Sequence, residues 1–195
     1  MTGGDTNGGS PRGHPDGADH DWPVRESVTE YETGWYAGGY DRVEQPDGSR
    51  KDYYWADLPP AAVVVAVDAG EVIFVEQYRP TIREHCLELP AGIVEDGESY
   101  EDAATRELRE ETGFHPGETS LIESFWVATG VLRHERGIVF APDLDRVDRE
   151  LDDNEFLSVT RHPVGEALER AREPPANDAT IEALLLAKAD GYLDW

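Results

Sequence analysis

The chain has 195 residues, enough for one domain with a proper core, and carries 42 acidic against 17 basic residues for a formal net charge of −25. So few basic residues exclude a nucleic-acid backbone as partner, since that surface is bound through clusters of lysine and arginine. No apolar stretch approaches the length of a membrane span and the N-terminus lacks a signal-peptide core, so the expectation is a cytoplasmic protein with no membrane partner. The acid is spread along the chain rather than gathered in one tail, and Lys51 and Lys188 are the only lysines. That pattern fits a surface that stays hydrated in molar salt better than an acidic interaction module. Cys86 is the single cysteine, which removes a disulfide framework and a cysteine zinc site.

Residues 1–22 are rich in Gly, Asp, Pro and His with almost nothing apolar, the composition of a disordered tail in which His14 and His20 are polar filler. Residues 23–58 form an N-terminal extension: two β-rich runs around Gln45-Pro46-Asp47-Gly48 predict a hairpin. It is unusually aromatic, with Trp35, Tyr36, Tyr40, Tyr53, Tyr54 and Trp55. Most of these rings fit strand packing, while one or two have the faces to stack on a base.

The main domain spans residues 59–195. Ala61 to Val67 reads as a buried strand, Asp68-Ala69-Gly70 as a turn and Glu71 to Pro80 as the next strand, ending in Gln77-Tyr78-Arg79-Pro80. Arg79 either pairs with surface acid or presents its fork to a diphosphate. Further strands are predicted near Leu121–Val127, Arg136–Ala141 and Phe156–Thr160. Pro163 opens a helix through Arg172, Pro174-Pro175 closes it, and Asp178 caps a last helix whose Ile181, Leu184, Leu185 and Leu186 need a core to face.

The most informative stretch is Leu87 to Phe114, LELPAGIVEDGESYEDAATRELREETGF. Ser99 or a neighbour caps a helix with Asp102 as the acidic half of a capping box, and Gly113 suits its left-handed end. Ala104 and Leu108 point inward, while Glu107, Glu110 and Glu111 recur at the spacing that brings carboxylates to one face. Gathered carboxylates repel one another, and a divalent cation removes that repulsion. Hard oxygen donors suit Mg²⁺, or Mn²⁺ in its place.

Gly92, Glu98 and the run Arg106-Glu107-Leu108-x-Glu110-Glu111-x-Gly113-Phe114 resemble the Nudix box of Nudix hydrolases at every fixed position. The resemblance implies an α/β fold, a Nudix-type α/β/α sandwich with a mixed sheet, carrying the N-terminal β-hairpin as an extension. It implies hydrolysis of a nucleoside diphosphate linked to another group, with Mg²⁺ as cofactor. Glu107, Glu110 and Glu111 would be metal ligands, joined by the Ala91 carbonyl. Arg106 would orient a glutamate through an ion pair, Gly92 would lie against substrate, and Arg106 and Glu110 would count with the general base as the catalytic set.

Beyond the box, the Pro-Asp-Gly turn, EQYRP, LELPAG and the final Asp178-x-Thr180 helix with Leu184 to Leu186 are similar to ADP-ribose pyrophosphatases. By that resemblance the substrate is ADP-ribose, split to AMP and ribose 5-phosphate. Arg79 would lie on the diphosphate, Trp35 would stack on adenine, and the chain would form a homodimer through its N-terminal strands. The base would come from the acidic loop before the last strand, with Glu155 the best match and Asp152 and Asp153 as substitutes. One departure stands out: Ala128-Thr129-Gly130 has threonine where that subfamily commonly has proline. Another nucleotide sugar or a dinucleotide is therefore an alternative substrate, and a non-catalytic ADP-ribose-binding module an alternative of another class.

Overall fold

The computed structural model describes residues 22–151 and 156–195. His14, His20 and the rest of the predicted tail before Trp22 lie outside the described residues, as do Asp152, Asp153 and Glu155. Contacts divide the chain into two compact units, 1–56 and 57–195.

In the first unit, β1 (Val24–Glu32), β2 (Ala37–Glu44) and β3 (Arg50–Asp57) pair in that order. The predicted hairpin is β2 with β3, and an additional strand, β1, precedes it. The β2–β3 turn closes as its residues dictate: Gly48 takes φ 81°, and the Asp47 carboxylate accepts the Ser49 N–H at 2.9 Å. At the β1–β2 turn the Thr33 hydroxyl accepts the N–H groups of Trp35 and Tyr36 at 3.0 and 2.9 Å. Arg42 ties the three strands together, contacting Glu26 on β1 and Asp52 on β3 at 2.6 and 2.8 Å. Trp22 packs edge-on against Tyr53 with centroids 5.9 Å apart.

In the second unit, β4 (Ala61–Asp68) runs through an almost unbroken apolar stretch because both of its faces are covered. It turns through Ala69 and Gly70, at φ 51° and 82°, into β5 (Glu71–Arg79). There follow β6 (Glu84–Glu88), β7 (Ala91–Ile93), α1 (Tyr100–Thr112), β8 (Phe114–His115), β9 (Ser120–Trp126) and β10 (Leu132–Arg133). The unit ends with β11 (Glu135–Ala141), β12 (Asp145–Arg146), β13 (Leu157–Pro163), α2 (Val164–Ala171) and α3 (Asp178–Ala189). The main sheet has the order β13-β5-β4-β11-β9, with β6 added on β5 and β7 on β4. β11 lies parallel to β4 and the remaining pairs are antiparallel, so the sheet is mixed as expected.

Period-two alternation splits the core into two layers. Ala62, Val64, Ala66 and Ile73 face α1 through Ala103, Ala104 and Leu108. Val63, Val65, Val72 and Phe74 face the other way, toward Ala167 and Ala171 of α2 and Ala183, Leu184 and Ala187 of α3. The result is an α/β/α sandwich. The short strands β6, β7, β8, β10 and β12 carry too few residues for a periodic signal and go unseen in the sequence.

Two details of α3 correct the expectation. Asn177, not Asp178, is its N-cap: the Asn177 side chain accepts the Thr180 N–H at 2.8 Å. Of the apolar run, Leu184 is fully buried, whereas Leu185 is 46% exposed. At about 100° per residue, three consecutive leucines cannot share one face.

Candidate active site

The site is assembled where β7 meets α1. β7 is held by pairing with β4, Ala62 opposite Gly92 and Val63 opposite Ala91. α1 starts at the predicted capping box: the Ser99 hydroxyl accepts the Asp102 N–H at 3.1 Å and the Asp102 carboxylate accepts the Ser99 N–H at 3.3 Å. It ends at Gly113 in the left-handed region, φ 71°, whose N–H donates to the Arg109 carbonyl at 2.9 Å. Both ends being fixed, the rotation of the helix about its axis is fixed too.

That rotation buries charge. The inward stripe of α1 contains Ala103, Ala104 and Leu108, but also Glu107 and Glu111, only 9% and 3% exposed. Carboxylates are seldom buried without partners, because desolvation costs several kcal/mol per ion, about the size of a domain's whole stability margin. Here the Ala91 N–H donates to Glu111 at 3.1 Å, and Arg106 Nη1 donates to Glu107 at 2.7 Å.

Arg106 is the hub. Its Nε and Nη2 grip both oxygens of Glu98 at 2.9 and 3.0 Å, the bidentate fork that suits a carboxylate. Nη2 also donates to the Ile93 carbonyl at 2.8 Å, and Nη1 is shared by Glu107 and Glu110 at 2.7 and 3.2 Å. The hydrogen bonds that Arg106 donates to Glu98, above all, raise the guanidinium's affinity for its proton, and the same bonds hold the Glu98 carboxyl below the usual glutamate range.

Gly92 is required by the closeness of this arrangement. A Cβ there would stand 1.9 Å from Glu107 Cδ, so any side chain would take the space in which the carboxylate sits. The structure therefore brings together Ala91, Gly92, Arg106, Glu107, Glu110 and Glu111. It joins Glu107 and Glu110 on one guanidinium nitrogen and turns Glu111 to the strand. Among the described residues no three carboxylate, histidine or cysteine side chains are gathered closely enough to hold a cation as they stand. The donor set itself is all oxygen, with Glu107 and Glu111 buried and Glu110 partly exposed and room secured by a glycine, and this chemistry fits a hard divalent cation rather than a soft one.

Arg79 lies at the end of β5, exposed, and does pair with acid: its Nη2 and Nε reach Glu88 at 2.7 and 2.9 Å. Glu88 also accepts from Gln77 at 2.9 Å and from the Asn177 amide at 3.4 Å. Sequence reasoning misses this hub; the signal for it is a charged residue alternating with apolar ones in LELPAG. Trp35 belongs to the first unit, in the β1–β2 turn, and is 72% exposed. Thr129 sits in a tight turn where Ala128 has φ 46° and its carbonyl accepts the Val131 N–H at 2.9 Å. Cys86 is buried, its thiol pushed up by desolvation, so it packs as a small apolar residue.

A layered α/β/α sandwich with acidic side chains and an arginine fork on a strand–turn–helix is the arrangement that the resemblance to Nudix hydrolases implied. Comparison with known proteins makes this specific. A NUDIX domain model matches residues 57–184. The chain is 34% identical over 140 residues to the ADP-ribose pyrophosphatase of Bacillus subtilis (strain 168), covering 70% of this chain and 76% of the relative. It is 30% identical over 142 residues to the methanol dehydrogenase activator of Bacillus methanolicus, covering 71% and 77%. A crystal structure of an ADP compounds hydrolase superposes with a TM-score of 0.79 at 24% identity, over 88% of this chain and 97% of that one, which establishes the shared fold. The chain belongs to the NUDIX family and is a Nudix pyrophosphatase.

Proposed function

We propose that the chain hydrolyses ADP-ribose to AMP and ribose 5-phosphate with Mg²⁺, or Mn²⁺, as cofactor. The observation that supports this best is the pair of buried carboxylates, Glu107 and Glu111, held beside Gly92 by Arg106 and the Ala91 N–H. Glu107, Glu110 and Glu111, with the Ala91 carbonyl, would hold the divalent cation. When bound, such an ion neutralises diphosphate charge and acidifies an attacking water.

The chain's own residues do the rest. Arg106 pairs with Glu107 and Glu110 and orients both, and its own fork stays protonated throughout the working pH range. Arg79, already oriented by Glu88, presents a fork to the diphosphate, and the exposed Trp35 ring offers a face to adenine. Glu155, with Asp152 or Asp153 as substitute, takes the proton of the attacking water, a contribution of about 10²–10⁴-fold. The N-terminal sheet, exposing Tyr31, Trp35, Tyr36 and Tyr54, is the surface for a homodimer.

Incubating the purified chain in high salt with Mg²⁺ and a panel of nucleoside diphosphate compounds, then identifying products, tests the substrate. AMP and ribose 5-phosphate are expected from ADP-ribose. Faster cleavage of a nucleotide sugar or dinucleotide would favour the second reading, which Thr129 motivates. Binding of ADP-ribose without any product would favour a non-catalytic module. Glu110→Gln should abolish Mg²⁺-dependent turnover with the fold intact by circular dichroism; undiminished activity would refute the metal assignment.

With a net charge of −25, lowering salt from molar to about 0.1 M lengthens the screening distance and should lower Tm. An unchanged melting point would reject adaptation to salt.

A further inference from the structure

None of the residues in the Asp178-x-Thr180 start of the last helix enters the chemistry described above. Thr180 is nevertheless among the most buried polar groups, 1% exposed. Its backbone N–H is taken by the Asn177 cap, while its hydroxyl accepts the N–H of Leu89 at 3.1 Å, across a separation of 91 residues. Leu89 is itself 2% exposed and sits between β6 and β7, next to Pro90. Proline has no N–H to donate, so the ladder is interrupted at this point. The Pro90 carbonyl accepts the Val64 N–H at 2.8 Å, and the next residue, Ala91, donates to Glu111.

The Leu89-Pro90 link thus sets where Ala91 and Gly92 meet the helix carboxylates. At Gly92 the tolerance is small, because Glu107 fills the space of a Cβ. The first turn of α3 is in turn clamped to the sheet. The buried Arg136 of β11 pairs with Glu182 at 3.0 Å and Asp178 at 3.5 Å, and Asn177 reaches Glu88. Helix α3 is therefore a fixed post, and the Thr180 hydroxyl is its contact with the strand that backs the site.

We infer that Thr180 is a positioning residue: through the Leu89 amide it holds Ala91 and Gly92 in register with Glu111 and Glu107, and so sets the affinity of the carboxylate site for a divalent cation. This rests on the metal reading of that site. Removing the hydroxyl leaves a buried N–H without an acceptor, which the Leu89-Pro90 link relieves by rotating, carrying Ala91 off Glu111.

The test is Thr180→Val in the full chain, a replacement of similar shape lacking only the hydroxyl, assayed in molar salt below its own Tm. Free Mn²⁺ is measured by electron paramagnetic resonance. Mn²⁺ affinity should fall about 10- to 100-fold and kcat should fall with it, while KM for ADP-ribose changes by less than about threefold. Thr180→Ser should restore both. A folded Thr180→Val with wild-type Mn²⁺ affinity, whatever its Tm, overturns the assignment and leaves Thr180 a packing residue.

Wild-type protein that neither binds Mn²⁺ nor turns over defeats the metal reading itself, a different failure. Hydrogen exchange on the wild-type chain decides the matter independently of how the variant folds. On adding Mg²⁺, peptides covering 88–93 and 177–181 should slow together, and slowing of 88–93 alone would overturn the coupling.

Discussion

Helices α1 and α3 are nearly the same length, 13 and 12 residues, and cover opposite faces of one sheet, yet they bury opposite kinds of surface. The buried stripe of α3 is Thr180, Ala183, Leu184 and Ala187, apolar except for one hydroxyl. That of α1 includes Glu107 and Glu111 beside Ala103, Ala104 and Leu108. Burying a carboxylate opposes folding, and Arg106 and the Ala91 N–H are partners that offset this for the stripe of α1. On the proposed function, the helix whose burial is electrostatically costly carries the chemistry, and the apolar one holds it in place.

The contrast breaks most sharply at Gly92. Gly92→Ala forces a methyl onto the Glu107 carboxylate, at about 1–3 kcal/mol of stability for an overpacked site. Turnover should fall about 100-fold as Glu107 leaves its seat, read from kcat and the urea midpoint. Full activity in that variant would mean the buried charge of α1 is structural only.

The complementary change on α3 is Leu184→Ala, expected to cost about 2–5 kcal/mol in urea unfolding while kcat per folded molecule is preserved. A selective loss of kcat there would erase the division of labour between the helices. Smallest of all, Leu185→Ser should shift stability by less than about 0.5 kcal/mol, since that side chain is 46% exposed. A larger loss in a concentration-dependent melt would show that Leu185 is covered by a partner in solution.

Much of α1 is legible in its residues alone. Ser99, Asp102 and Gly113 act over one turn of chain, so local chemistry specifies them, and Ala104 and Leu108 turn inward as their spacing requires. α3 is less legible. Its cap is Asn177 rather than Asp178, a one-residue difference between two good capping residues. Of the predicted apolar set, Leu184 is in the core with Ile181 and Leu186 packed against it, but the rest of the buried face is Thr180 and two alanines, which the leucine run does not reveal. For Arg79 the residues leave two roles open, a diphosphate contact or a pair with acid. Its partner Glu88 is visible in the chain as a residue but not as a neighbour.

The sequence alone determined the capping box, the left-handed stop at Gly113, the doubly covered strand β4 and the acidic spacing of the box, because each depends on residues within a few positions of one another. Only the tertiary structure decided that Arg106 would be shared among Glu98, Glu107 and Glu110, that Gly92 would lie against Glu107, and that Leu89 would hang on Thr180. Those contacts join elements far apart in the chain or side chains with several possible partners. Which one wins is settled by the packing of the sheet between its helices rather than by local preference.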